Sequence, residues 1–68
     1  MTIKELKKVL NRRCSEYVEL DIEGKSSIYM NFKVFKDDTS YDNLIINDIT
    51  CFCQDEENAI LNIYCREE

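Results

Sequence analysis

From Val18 onward the apolar side chains fall at every second position, in four successive runs, and that period of two commits most of the chain to β-structure. Val18, Leu20 and Ile22 alternate with Tyr17, Glu19, Asp21 and Glu23. After the one glycine, Ile28, Met30, Phe32 and Val34 alternate with Tyr29, Asn31, Lys33 and Phe35. The two runs read as a hairpin. Their apolar rows share a face if 22 opposes 28, 20 opposes 30 and 18 opposes 32, which requires an odd-numbered loop. Gly24-Lys25-Ser26 supplies one, with Gly24 or its neighbours free to take a positive φ.

The third and fourth runs, 44–53 and 59–66, flank Gln54-Asp55-Glu56-Glu57-Asn58 and read as a second hairpin. Pairing 53 with 59, 51 with 61, 49 with 63 and 47 with 65 gathers Ile45, Ile49, Cys51, Cys53, Ala59, Leu61, Ile63 and Cys65 on one face. Only Asn47 is out of character there. Ahead of the strands, Ile3, Leu6, Val9 and Leu10 recur at helical spacing, which predicts a helix over 2–13. Thr2 is its N-cap, and Glu5 three positions on completes a capping box. No connection reads as long enough for a parallel crossover. The expected fold is therefore α+β: a short N-terminal helix packed on one face of a four-stranded antiparallel β-meander (αββββ), with residues 1–68 forming a single domain.

A chain of 68 residues has room for one small core, and a disulfide, a metal or a partner would add to its stability. No apolar run approaches the roughly 20 residues that cross a bilayer, and the N-terminus is charged and amphipathic rather than a signal peptide, so a cytoplasmic location without membrane contact is expected. Many Ile, Asn, Lys, Asp and Glu beside few Ala, Gly, Pro and Trp is the usage of an A+T-rich genome, such as a low-GC bacterium or its phage.

Histidine is absent and a single glycine cannot build a phosphate loop, which removes the commonest general base and a common nucleotide site. Asp37-Asp38 and Asp55-Glu56-Glu57 fall in turns, where carboxylates are solvated, so catalysis and cofactors are not expected. Cys14, Cys51, Cys53 and Cys65 could in number bind zinc. Yet Cys51-Phe52-Cys53 lies along a strand and holds its thiols about 7 Å apart, unlike the knuckle a structural zinc site uses. A disulfide between Cys51 and Cys65 is disfavoured by a reducing cytosol. The strand cysteines therefore read as buried free thiols packed with Ile49, Leu61 and Ile63.

The net charge of −5 hides a division. Residues 1–13 carry Lys4, Lys7, Lys8, Arg12 and Arg13 against Glu5 alone, whereas from residue 14 onward four cations stand against thirteen anions, a balance of −9. The basic helix face formed by Lys4, Lys7, Lys8 and Arg12 suits phosphate contact, but the acidic remainder repels a polyanion, which makes nucleic acid the less favoured partner. The carboxylates suit a basic groove on a protein that itself binds nucleic acid. On the sheet face away from the helix the expected registers set Tyr17, Tyr29, Phe35, Leu44, Ile46, Phe52, Ile60 and Tyr64 among Glu19, Asp21, Asn31, Lys33 and Asn62. That face is too aromatic for a solvated one and matches interface composition. The expectation is a non-catalytic protein-binding module using Tyr17, Glu19, Asp21, Tyr29, Phe35, Phe52 and Tyr64, with a phage-type inhibitor of a nucleic-acid-binding protein as one form of it. The alternatives are a homodimer module, the chain being its own partner, and a small nucleic-acid binder working through the basic helix.

Overall fold

In the computed structural model the described residues are 1–10, 16–53 and 59–68, with Phe52 and Cys53 described by their backbone alone. Cys14, Arg12 and the acidic turn at 55–57 lie outside them. The chain runs α1 (Ile3–Val9), β1 (Tyr17–Ile22), β2 (Ile28–Asn31), α2 (Phe32–Asp37), β3 (Ile45–Cys53) and β4 (Ala59–Arg66).

The capping box at Thr2 forms as its spacing predicts. Thr2 Oγ1 accepts from the Glu5 N–H at 3.3 Å, and Glu5 Oε1 accepts from the Thr2 N–H at 3.0 Å. The Thr2 N–H and, at 3.1 Å, the Thr2 hydroxyl both donate to the Glu5 carboxylate, and these bonds, the backbone one first, hold it below the ordinary glutamate range. Two further N–H groups of the first turn, those of Ile3 and Lys4, donate to the carbonyls of Leu44 and Asp42, each at 3.0 Å. The helix start is thereby fixed to the segment before β3.

The α+β class holds, but the sheet is mixed and is not a meander. Its order is β2-β1-β4-β3, with antiparallel outer pairs and a parallel central pair of β1 and β4, in which Val18 lies opposite Leu61 and Leu20 opposite Ile63. Two physical reasons account for the correction. A second helix, α2, occupies the latter half of the expected second strand, and the connection 32–44 that carries it is long enough for a crossover from one sheet edge to the other. A meander would also put β1 and β4 at or near the edges, although these strands carry the most apolar rows. The observed order centres them and buries Val18, Leu20, Ile22, Ala59, Leu61, Ile63 and Cys65.

Helix α2 starts because Asn31 caps it: its side-chain oxygen accepts from the Val34 N–H at 2.8 Å. Phe32 and Phe35 then fall three apart on one helical face, both buried, with ring centroids 6.3 Å apart. Val34, expected in the core row, is exposed instead. The shorter β2 pairs two residues earlier than expected, Leu20 with Ile28 and Val18 with Met30, and Gly24 sits in the longer loop at φ 80°.

The second hairpin pairs 53 with 59, 51 with 61 and 49 with 63, as its alternation predicts. Past Ile49 a β-bulge intervenes, and Ile46 rather than Asn47 lies opposite Cys65. The bulge resolves the anomaly of Asn47: the one polar residue in the row is the one left over. It also reverses the faces before it, so Leu44 and Ile46 pack against the core while Ile45 pairs with Arg66 on the other side. Both helices lie on the same side of the sheet, where Ile3, Leu6, Phe32 and Phe35 join the strand residues in one core.

Candidate interaction surface

With both helices on one side, the opposite face of the sheet carries the side chains that alternate with the core rows. Three cross-strand rows can be read from the registers. The first is Asn31, Tyr17 and Ile60, with the Phe52 backbone opposite Ile60. The second is Tyr29, Glu19, Asn62 and Thr50. The third is Asp21, Tyr64 and Asp48. Tyr17 and Tyr29, on neighbouring strands and diagonal to each other, stack with centroids 5.3 Å apart and planes 20° from parallel. They remain 38% and 55% exposed, and Tyr64 is 41% exposed, so this face keeps three tyrosines in contact with solvent.

Carboxylates are interleaved with them. Glu19 lies directly opposite Tyr29 on the neighbouring strand, and Tyr64 lies between Asp21 and Asp48. Asp21 is held in place, accepting from Asn62 Nδ2 at 2.6 Å and from the Ser27 hydroxyl. Beside the stack an open hollow is bordered by Tyr17, Asn31, Lys33 and Lys36. The surface thus sets aromatic rings among acids on a paired sheet, a composition suited to recognition.

The face brings together Tyr17, Glu19, Asp21, Tyr29 and Tyr64 as their alternation predicts. Phe35 does not belong there: as part of α2 it turns inward and is 1% exposed. The side chain of Phe52 lies outside the described residues. Asp48 and Thr50 also lie on the face, at the register that the alternation of the second hairpin predicts, although their small polar side chains did not single them out; the bulge shifts only the residues before it.

No family model matches the chain, and no curated protein or solved structure is detectably similar to it.

The basic helix is not a single charged face. Lys4 and Lys8 are exposed, but the Lys7 side chain is only 11% exposed; its Nζ donates to Asp42 Oδ1 at 2.7 Å and to the Asp38 carbonyl at 2.5 Å, and sits 5.0 Å from the centre of the Phe35 ring. Arg12 lies outside the described residues. Lys36, from α2, donates to the carbonyls of Lys7 and Leu10 at 2.8 and 2.9 Å, which closes the C-terminal end of α1.

The cysteines divide in the same way. Cys65 is buried, and burial, assisted by the nearby Asp21 charge, raises its thiol pKa. Cys51 shares the core side of the register opposite Leu61, yet is exposed, on the outer strand of the sheet. The expectation that it is buried is corrected. Its strand position lies four residues from that of Cys65 along the ladder, and both are free thiols.

Proposed function

We propose that the chain is a non-catalytic protein-binding module that engages a basic protein surface through the outer face of its sheet. The observation that carries this reading is the exposed Tyr17–Tyr29 stack beside Glu19, on a sheet face that also carries Tyr64 between Asp21 and Asp48. Tyrosine rings give contact area at small entropic cost and attract guanidinium and ammonium groups, while the carboxylates steer a cationic partner and pair with it. A nucleic-acid-binding protein presents such a groove, and an acidic module seated in it would act as an inhibitor.

The alternatives have less support. A basic-helix contact with nucleic acid would lose Lys7, which is engaged within the fold. A dimer joined face to face would set Glu19, Asp21 and Asp48 against their own copies.

The test is a comparison of baits. Native chain and a Tyr29→Ala variant are used to capture proteins from host lysate, and the affinity for the retained partner is then measured against salt. Loss of a central interface aromatic costs about 2 kcal/mol or more, a roughly thirtyfold weakening. Equal capture by both baits, or a partner whose binding is indifferent to Tyr29, overturns the reading.

A further inference from the structure

Among the described residues, the outer edge of β3 beyond its bulge pairs with no other strand, and it offers a second surface with different chemistry. The Glu16 N–H donates to the Ala59 carbonyl at 3.1 Å and the Glu23 N–H to the Cys65 carbonyl at 2.8 Å, so the odd-numbered residues of β4 turn their main chain toward β1 and the even-numbered ones toward β3. In an antiparallel ladder, directly opposed residues either bond to each other or both turn away. Ile49 and Cys51, opposite Ile63 and Leu61, therefore point their N–H and C=O groups outward from the sheet.

At its start this edge is occupied. Ile46 N–H donates to the Met1 carbonyl at 2.8 Å, and Thr2 bridges Ile45. Beyond the bulge, the Ile49 N–H is held by the carboxylate of its own neighbour, Asp48, at 2.9 Å, and the side chains of Ile49 and Cys51 are exposed. The other sheet edge, β2, is only four residues long and runs directly into α2. Short strands and a guarding acid are the usual protections of an edge, and along residues 48–51 only the acid is present.

We infer that this edge pairs antiparallel with β3 of a second copy, about a two-fold axis at Thr50, joining two sheets into one. Charge selects a copy over other occupants. Residues 45–53 carry one charged side chain, Asp48, in a chain of net charge −5, so two like-charged molecules meet here with least repulsion. A cationic partner would instead be drawn to the outer face.

Self-complementarity supports the same choice. With Thr50 opposite its own copy, Ile49 falls opposite Cys51 of the second copy, and the reverse holds. The outward backbone groups then satisfy each other, and each exposed apolar side chain meets another. The two Asp48 residues are set four positions apart along the strands, roughly 14 Å at 3.4 Å per residue, beyond a Debye length of about 8 Å. Asp48 releases the Ile49 N–H on pairing, and so acts as the guard of the single chain.

Sedimentation equilibrium of the full chain over a concentration series tests the inference. A monomer–dimer equilibrium is expected. Cys51→Pro should abolish it while far-UV circular dichroism is retained, since the N–H removed is one that β4 does not use. If that variant fails to fold, Ile49→Lys, which changes an exposed side chain, should abolish association in its place. Asp48→Ala should strengthen association, and Tyr29→Ala should leave it unchanged, which separates this edge from the outer face. In a Cys51→Ser background, Thr50→Cys should yield a disulfide-linked dimer on mild oxidation that the background alone does not. A chain that stays monomeric throughout, a dimer that survives both Cys51→Pro and Ile49→Lys, or one abolished by Tyr29→Ala overturns the proposal.

Discussion

Lys7 and Lys8 are neighbours in sequence with opposite roles in the fold. Lys8 extends into solvent, whereas Lys7 lies across Phe35 and ties α1 to Asp42 and to the carbonyl that follows α2. Replacing Lys7 by Gln removes the charge that faces a largely buried Asp42 carboxylate, and a group left without its partner costs about 1–3 kcal/mol. The double change Lys4→Gln, Lys8→Gln touches only exposed ammonium groups and should alter stability by less than about 0.5 kcal/mol. Urea denaturation of the two variants checks both expectations; equal midpoints would mean that the Lys7 contacts add nothing. The thiols offer a second residue-scale measurement. In native protein a disulfide reagent should modify Cys51 rapidly, while Cys65, buried and with its thiol pKa raised, should react only on unfolding. Mass spectrometry of peptides from a timed reaction distinguishes the two sites. Because the folded state disfavours the Cys65 thiolate, stability should also decline as pH rises above the ordinary cysteine value, where the unfolded chain loses that proton first.

At the scale of elements, α1 is legible in its helical spacing and β1, β3 and β4 in their alternation, and α2 is the one most easily missed. Phe32 and Val34 continue the period of two set by Ile28 and Met30, so the strand pattern extends without a break into residues that are helical. The competing signal is local: Asn31 at an N-cap position, with Phe32 and Phe35 at helical spacing beyond it. The cap decides the outcome by satisfying the Val34 N–H, and the two rings decide which way the helix faces. Asn31→Ala should destabilise the protein by about 1 kcal/mol, within the range for lost caps, and Asn31→Asp should largely preserve it. Thermal melts of both variants test this, and an Asn31→Ala protein as stable as the parent would assign the start of α2 to ring packing alone. The sheet's outer face was legible to the extent that strand alternation governs it. Tyr17, Glu19, Asp21, Tyr29 and Tyr64 follow directly from that alternation, as do Asp48 and Thr50, whereas Phe35 belongs to α2 and the residues before the bulge, Leu44 to Ile46, change sides with only a misplaced Asn47 to mark it.

For the whole molecule, the pairing of β1 with β4 is what sequence order conceals. Each hairpin is encoded locally by alternation and a turn, but which strands meet in the middle is set by a comparison across the chain. The strands with the most continuous apolar rows take the centre and the weaker ones the edges, a criterion that operates only once all four compete for the same core. The ordering has a temporal consequence. The two central strands are the first and the last in the sheet's chain order, so during synthesis β1 and β2 emerge long before the strand that completes their core, and a hairpin alone is marginal in water. The N-terminal half must wait, with Val18, Leu20 and Ile22 uncovered, until β4 follows it into solution.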